Sequence, residues 1–130
     1  MKQNSFKQKE RLKSKKYYST IFSQGSVLAE YPIKVLWIES DEPQNYHVEI
    51  GVTIPKKKFR RATQRNLIRR RIEEIYRQNN YYLYNSLKKQ QKQLKIVIIY
   101  VAKYIYSYKE IESSLVKALN EISRIYENDI

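Results

Sequence analysis

Cysteine is absent from this 130-residue chain, histidine occurs once, and glycine and proline number only 2 and 3. Without cysteine there is no disulfide framework, no thiolate zinc site and no thiol nucleophile, and one histidine cannot build a His-based metal cluster. Long apolar stretches are missing too. The longest, Ile96 to Ala102, runs seven residues, far short of the roughly 18 that a transmembrane helix needs. The segment Met1 to Lys16 is Lys-rich and lacks the apolar core of a signal peptide, so a cytoplasmic location and no membrane partner are expected. Acidic residues are the other scarcity: 13 Asp and Glu stand against 26 Lys and Arg, a formal net charge of +13.

The positive charge is not spread evenly. Residues 1–16 hold seven cations and one anion, 17–55 one cation and five anions, and 56–77 ten cations and two anions. A solvated surface usually mixes signs, whereas concentrated positive charge attracts a polyanion and gains affinity by releasing its counterions. Nucleic acid is therefore the leading partner. A merely solvated helix face and a lipid-binding amphipathic helix are the alternatives for 56–77, the latter disfavoured because its apolar stripe looks committed to a core. With 42% hydrophobic residues and a length below about 150, a single domain over 1–130 is expected, with 1–13 a basic, flexible N-terminus.

The local patterns predict an α+β chain. Ser14 is placed to cap a first helix carrying Tyr17, Tyr18, Ile21 and Phe22 on one side, with Gly25 where a left-handed stop residue belongs. Ile33 to Ile38 reads as a strand, Asp41 to Asn45 as a turn, and the alternation of Tyr46, Val48, Ile50, Val52 and Ile54 as a strand buried on one face, together a hairpin. Pro55 ends it. From Ala62 to about Gln78, Ile68, Ile72 and Ile75 recur at helical spacing, with Asn66, Arg69, Arg70, Glu73 and Arg77 on the opposite side. Residues 79–93 remain open between a second short helix and a ragged extension of the first. Ile96 to Val101 is apolar on both faces, as a strand inside a sheet would be. Ser107 and Glu110 form a capping box before the stripe Ile111, Leu115, Ala118, Leu119, Ile122 and Tyr126. The expected order is helix, three strands, helix, strand, helix: a sandwich with helices covering a small mixed sheet.

The stretch with the most chemistry runs from Lys56, Lys57, Lys58, Phe59, Arg60 and Arg61 through Arg65, Asn66, Leu67 and Ile68 to Arg69, Arg70 and Arg71. A strand, a basic loop and a basic helix set guanidinium groups side by side, each able to hold a phosphate through two hydrogen bonds. Asn66 adds a short amide for a base or backbone group. His47 has no second histidine for acid–base work and reads as a solvated residue on the polar face of a strand, and no carboxylate cluster suggests metal ligation.

In this stretch the chain resembles the protein subunit of bacterial ribonuclease P. That family's central helix opens on Arg-Asn-Arg-Ile-Lys-Arg, after a strand ending in Lys-Lys and with an Ala three residues before the first Arg. Here Arg65-Asn66-Leu67-Ile68-Arg69-Arg70 stands with Ala62 in place and Lys56-Lys57 upstream. The N-terminal series Arg11-Leu12-Lys13, Tyr18, Phe22 and Gly25, the strand Ile50 to Ile54, and the strand Ile96 to Val101 with its capped helix are similar to the family as well. The likeness covers about residues 6–120. Leu67 stands where the family has Arg, Glu73-Glu74 replaces Arg-Glu, and the loop between Lys57 and Arg65 is one residue longer.

The resemblance implies a subunit whose catalytic partner is an RNA that, with bound Mg²⁺, removes the 5′ leader of precursor tRNA. It implies no catalytic residue, metal or small-molecule substrate of the protein itself. Lys56, Lys57, Lys58, Arg60, Arg61, Arg65, Asn66, Arg69 and Arg70 would contact the catalytic RNA. A cleft between the first helix and the sheet would hold the single-stranded leader, with Tyr18, Phe22 and Trp37 as stacking rings and Arg11 and Lys13 nearby; an aromatic at helical spacing serves equally as core. It also implies a fold shared with a domain of a ribosomal protein, with a left-handed β-α-β crossover. Most of the 13 tyrosines, such as Tyr82, Tyr104 and Tyr106, read as ordinary surface or half-buried positions. A general RNA-binding or ribosome-associated module is the competing function, since it needs only the charge blocks.

Overall fold

A computed structural model describes residues 15–41 and 47–127. Arg11, Lys13, Ser14, the basic 1–13 segment and most of the Asp41 to Asn45 turn lie outside the described residues. The elements are α1 (Lys15–Gln24), β1 (Ser26–Glu30), β2 (Ile33–Glu39), β3 (Val48–Thr53), α2 (Ala62–Gln78), α3 (Tyr81–Gln90), β4 (Leu94–Tyr100) and α4 (Tyr108–Glu127).

The four strands form one sheet in the order β1-β2-β4-β3. β4 lies between β2, to which it is antiparallel, and β3, to which it is parallel. Its apolar faces require that place: a strand with Ile, Val and Tyr on both sides loses least when helices cover it above and below. This overturns the expected hairpin between Ile33–Ile38 and 46–54, because β4 separates the two. The hairpin that exists joins β1 to β2 through Tyr31 and Pro32, with Glu30 opposite Ile33. β1, Ser-Val-Leu-Ala-Glu, is the strand whose position no sequence pattern gave; its half-exposed edge carries little alternation.

The two faces of the sheet hold separate cores. Ile33, Val35 and Trp37 of β2, Val48, Ile50 and Val52 of β3 and Leu94, Ile96, Ile98 and Tyr100 of β4 point toward α2 and α4, joined by Ile68, Ile72, Ile75, Leu83, Leu87 and the α4 stripe. On the other face, among the described residues, α1 alone covers Leu36 and Val97 with Ile21, Tyr17 and Tyr18. One helix cannot cover four strands, so the described residues leave part of this second face open.

The ends of the helices have local causes. Ser107 and Glu110 close the expected capping box, Glu110 N–H on Ser107 Oγ at 3.2 Å and Ser107 N–H on Glu110 Oε1 at 3.3 Å. α2 stops at Asn79, whose amide turns back onto the Ile75 carbonyl at 2.8 Å; a short amide that competes with the helix backbone ends helices this way. The open question over 79–93 is thus resolved as a separate helix, tied to α4 by Ser86 Oγ and Ser123 Oγ at 2.8 Å. Gly25 does follow α1, but it is not left-handed. Glycine is needed there because a Cβ would lie 2.5 Å from the Ile21 carbonyl oxygen and 3.0 Å from that of Trp37.

Candidate nucleic-acid interface

The basic block begins as β3 leaves the sheet. Lys56 and Lys57 are exposed in the turn that follows Pro55, and Phe59 drops into the main core, edge-on to Tyr100 at 5.7 Å between ring centroids. This buried ring pins a loop that its charges alone would push apart. Arg65 completes the clamp, its Nη1 donating to the carbonyls of Phe59 at 2.7 Å and Arg60 at 2.9 Å. Lys58 Nζ reaches the Val101 carbonyl at 2.7 Å. Arg60 and Arg61 are left exposed at the start of α2. No side-chain cap and no acidic residue sit in its first turn, so the positive end of the helix dipole is surrounded by more positive charge. That arrangement is unfavourable in isolation and becomes favourable against phosphate.

Along α2, the stripe Ile68, Ile72 and Ile75 is buried as expected, and Asn66 and Arg70 are exposed. Thr63, Asn66, Arg69 and Arg70 line one open depression of 390 Å³. The structure therefore brings Asn66, Arg69 and Arg70 together on one wall. Leu67, where the resembled family has Arg, is half-buried, and Arg71 turns to the other flank of the helix, donating to the Tyr106 carbonyl at 2.7 Å.

Arg69 has a second role. Its Nη1 donates to the Val52 carbonyl at 2.7 Å, satisfying a backbone acceptor of β3, the edge strand. That places its charge beside Tyr18, whose phenol burial pushes up and the Arg69 charge pulls partly back. Tyr18 lies across Gly51: a Cβ at Gly51 would come within 2.0 Å of the Tyr18 hydroxyl. Next to it runs the least covered row of the sheet, Lys34, Ile99 and Thr53 in register across β2, β4 and β3, exposed or half-buried throughout. Phe22, one turn along α1 from Tyr18, is 50% exposed. Together these form an open, partly aromatic trough between α1 and α2, with cations at both sides.

Trp37 does not belong to it. It is 5% exposed, packs in the main core on the opposite face of the sheet, and its Nε1 donates to the Tyr126 hydroxyl at 3.3 Å. Trp37 shares the parity of Ile33 and Val35, whereas Leu36 and Ile38 face α1. Arg11 and Lys13 lie outside the described residues.

Several residues of the trough carried no sequence signal. Gly51 read as the polar side of an alternating strand. Lys95 stands just before the apolar run that begins at Ile96 and drew no reading, yet it is buried in β4 under α1, paired with Glu49 at 2.8 Å and set over the Tyr17 ring at 4.2 Å from its centroid. A cross-strand charge pair of this kind needs the parallel register of β3 and β4, which no local pattern gives. His47 is likewise not a solvated strand residue. It precedes β3, half-buried, with Nδ1 donating to the Lys92 carbonyl at 3.1 Å. Among the described residues no group of three or more His, Asp or Glu side chains is placed to hold a metal ion, and no helix is long and apolar enough to cross a membrane.

Comparison with known proteins gives this arrangement a context. A family model described as Ribonuclease P matches residues 6–123. The ribonuclease P protein component of Porphyromonas gingivalis is 29% identical over 114 residues, 88% of this chain and 83% of that protein. That of Petrotoga mobilis is 35% identical over 79 residues, 61% of this chain and 64% of that one. Among solved structures, the RNase P protein of Thermotoga maritima superposes with a TM-score of 0.69 at 24% identity, covering 86% of this chain and 96% of that chain. The Staphylococcus aureus RNase P protein gives 0.62 at 21% identity, covering 90% and 97%. These structural matches bear out the α+β fold.

Proposed function

Since this chain belongs to the ribonuclease P protein family and is thus a subunit of an endoribonuclease that processes tRNA, we propose that it grips two RNA elements on two adjoining surfaces. The exposed wall of α2 with its preceding loop, Lys56, Lys57, Arg60, Arg61, Asn66 and Arg70, binds the catalytic RNA. The trough between α1 and the sheet holds the single-stranded 5′ leader of precursor tRNA, with Tyr18 and Phe22 as stacking rings and Lys34 and Arg69 as cations. Lys58, Arg65 and Arg69 each hold a backbone carbonyl as well; they shape the surface and add charge to it. The RNA partner carries out bond cleavage, in the cytoplasm.

The observation that carries this reading is the position of Arg69. It stands between the α2 depression shared with Asn66 and Arg70 and the α1 trough beside Tyr18, so the two surfaces meet at one residue. Unpaired nucleotides track along cations and stack on aromatic faces, and the trough offers both. The Mg²⁺ ions of the reaction are proposed to sit on the RNA partner. The cationic wall and the lack of a carboxylate cluster among the described residues do not fit a protein-held Mg²⁺.

Phe22→Ala tests the trough, because half of this ring already faces solvent and its loss spares the cores. The variant holoenzyme is expected to bind a precursor tRNA with a long leader about fivefold more weakly, the loss of one stacked base, and to bind mature tRNA as before. Equal weakening toward both RNAs would remove the leader from the trough.

A further inference from the structure

The connection between β4 and α4, residues 101–107, is held in a way that neither surface above requires. Lys58 Nζ donates to the Val101 carbonyl and Arg71 Nη1 to the Tyr106 carbonyl, both at 2.7 Å. The buried Tyr100 hydroxyl donates to the Tyr104 carbonyl at 2.6 Å and accepts from Tyr106 N–H at 2.9 Å. The Tyr106 ring meets Tyr31 of the β1–β2 turn edge-on at 5.6 Å, and the Tyr31 carbonyl accepts from Ser114 Oγ at 2.7 Å.

A loop secured at so many points could have turned its aromatic side chains inward, yet Tyr104 is 73% and Tyr31 60% exposed, with Lys103 exposed beside them. The nearby carboxylate, Glu110, is turned onto the Ser107 cap. What remains outward is the Tyr31 ring against Tyr106 and the Tyr104 ring on a loop whose backbone is held, with Lys58, Lys103 and Arg71 on the same loop or bonded to it. Rings presented on a secured loop and flanked by cations suit unpaired nucleotides, since the loop is ordered before binding and the phosphates meet positive charge.

The position of this patch selects among RNAs. Arg69 and Arg71 are two residues apart on α2, about 200° around the helix; Arg69 faces the trough and Arg71 faces the patch. A leader lying in the trough is on the far flank of α2. The patch instead continues the basic loop and helix through Lys58 and Arg71. We propose that Tyr31, Tyr104 and Tyr106 stack an unpaired segment of the catalytic RNA, extending the α2 contact onto a third surface. This rests on the reading of α2 given above.

The test is assembly of the full chain with its cognate ribonuclease P RNA over a series of salt concentrations, for Tyr31→Ala/Tyr104→Ala, Tyr31→Phe/Tyr104→Phe and Arg70→Ala. The alanine pair is expected to bind about thirtyfold more weakly with an unchanged salt slope, as the loss of two stacked bases requires, and the phenylalanine pair to bind as the parent does. Arg70→Ala is expected to weaken binding and lower the slope by about one. Both tyrosine side chains face solvent, so an unchanged Tm verifies the fold. Unchanged assembly by the alanine pair, with Arg70→Ala weakened, overturns the patch and leaves the α2 reading standing. If neither variant is weakened, both readings fail. Normal assembly with weaker capture of precursor tRNA would assign the patch to the substrate and overturn the proposal.

Discussion

At Gly51 the side chain that is missing matters more than most that are present. Its bare Cα lets the hydroxyl end of the Tyr18 phenol close onto β3, where a Cβ would meet the hydroxyl at 2.0 Å. Because the obstructing atom is the far end of a side chain, Gly51→Ala is expected to fold with a small change in Tm while swinging Tyr18 out of the trough. The loss in leader affinity should match that of Tyr18→Ala, about fivefold, and the double variant should lose no more than either alone, since both remove the same contact. A binding cycle on the four proteins reads this directly; additive losses would separate the two residues. The same scale shows why sequence left some rings open and misplaced another. Tyr18 and Phe22 flank Ile21 on a short helix, where helical spacing suits core and cleft equally, and the structure half-buries the first and exposes the second. Trp37 sits in Ile-Lys-Val-Leu-Trp-Ile, where both parities are apolar, and only the covering helices decide which is which.

At the scale of elements, the helices were readable because their causes are local. α2 and α4 have stripes and breaks written in consecutive residues, and the Ser107–Glu110 box gave the start of α4. Strand neighbours were not, because the pairing of β3 with β4 joins segments some 46 residues apart, and a Pro, Asp and Asn-rich turn suggests a hairpin whether or not the flanking strands pair. The end of α3 carries a local misfit. Lys92 N–H bonds the Leu87 carbonyl at 2.9 Å and Gln91 N–H that of Lys88 at 3.2 Å, a Schellman turn with Gln91 at φ 55°. Glycine takes that conformation without strain. Gln91→Gly is expected to stabilise the chain by about 0.5–1 kcal/mol, read as a rise of a few degrees in Tm; a fall would show that Gln91 has a stabilising contact elsewhere.

Across the whole molecule, 13 tyrosines and a charge of +13 set the response to solution conditions. Burial raises the phenols of Tyr18, Tyr100 and Tyr108 above their ordinary value. Each binds its proton more tightly folded than unfolded, so its contribution is fully present below about pH 10 and is lost as pH rises through and beyond that value. Urea midpoints are expected to fall between about pH 9 and 11, and to fall less for Tyr18→Phe, which cannot ionise. A flat profile would place these phenols in water.

The charge itself finds its use against RNA, and the division of labour is what most needs proof: protein to hold, RNA to cut. Cleavage of a precursor tRNA by the cognate ribonuclease P RNA at near-physiological Mg²⁺ should be measured alone, with the protein, with the Arg70→Ala variant, and with protein but no RNA. Arg70 is the residue to vary because it is exposed, whereas removing Arg69 also strips the Val52 carbonyl of its donor. The protein is expected to restore cleavage that the RNA alone performs poorly, Arg70→Ala to restore less of it, and the protein without RNA to cut nothing. Binding of that RNA with no gain in cleavage, or cleavage by the protein alone, would contradict the assignment of holding to the protein and cutting to the RNA.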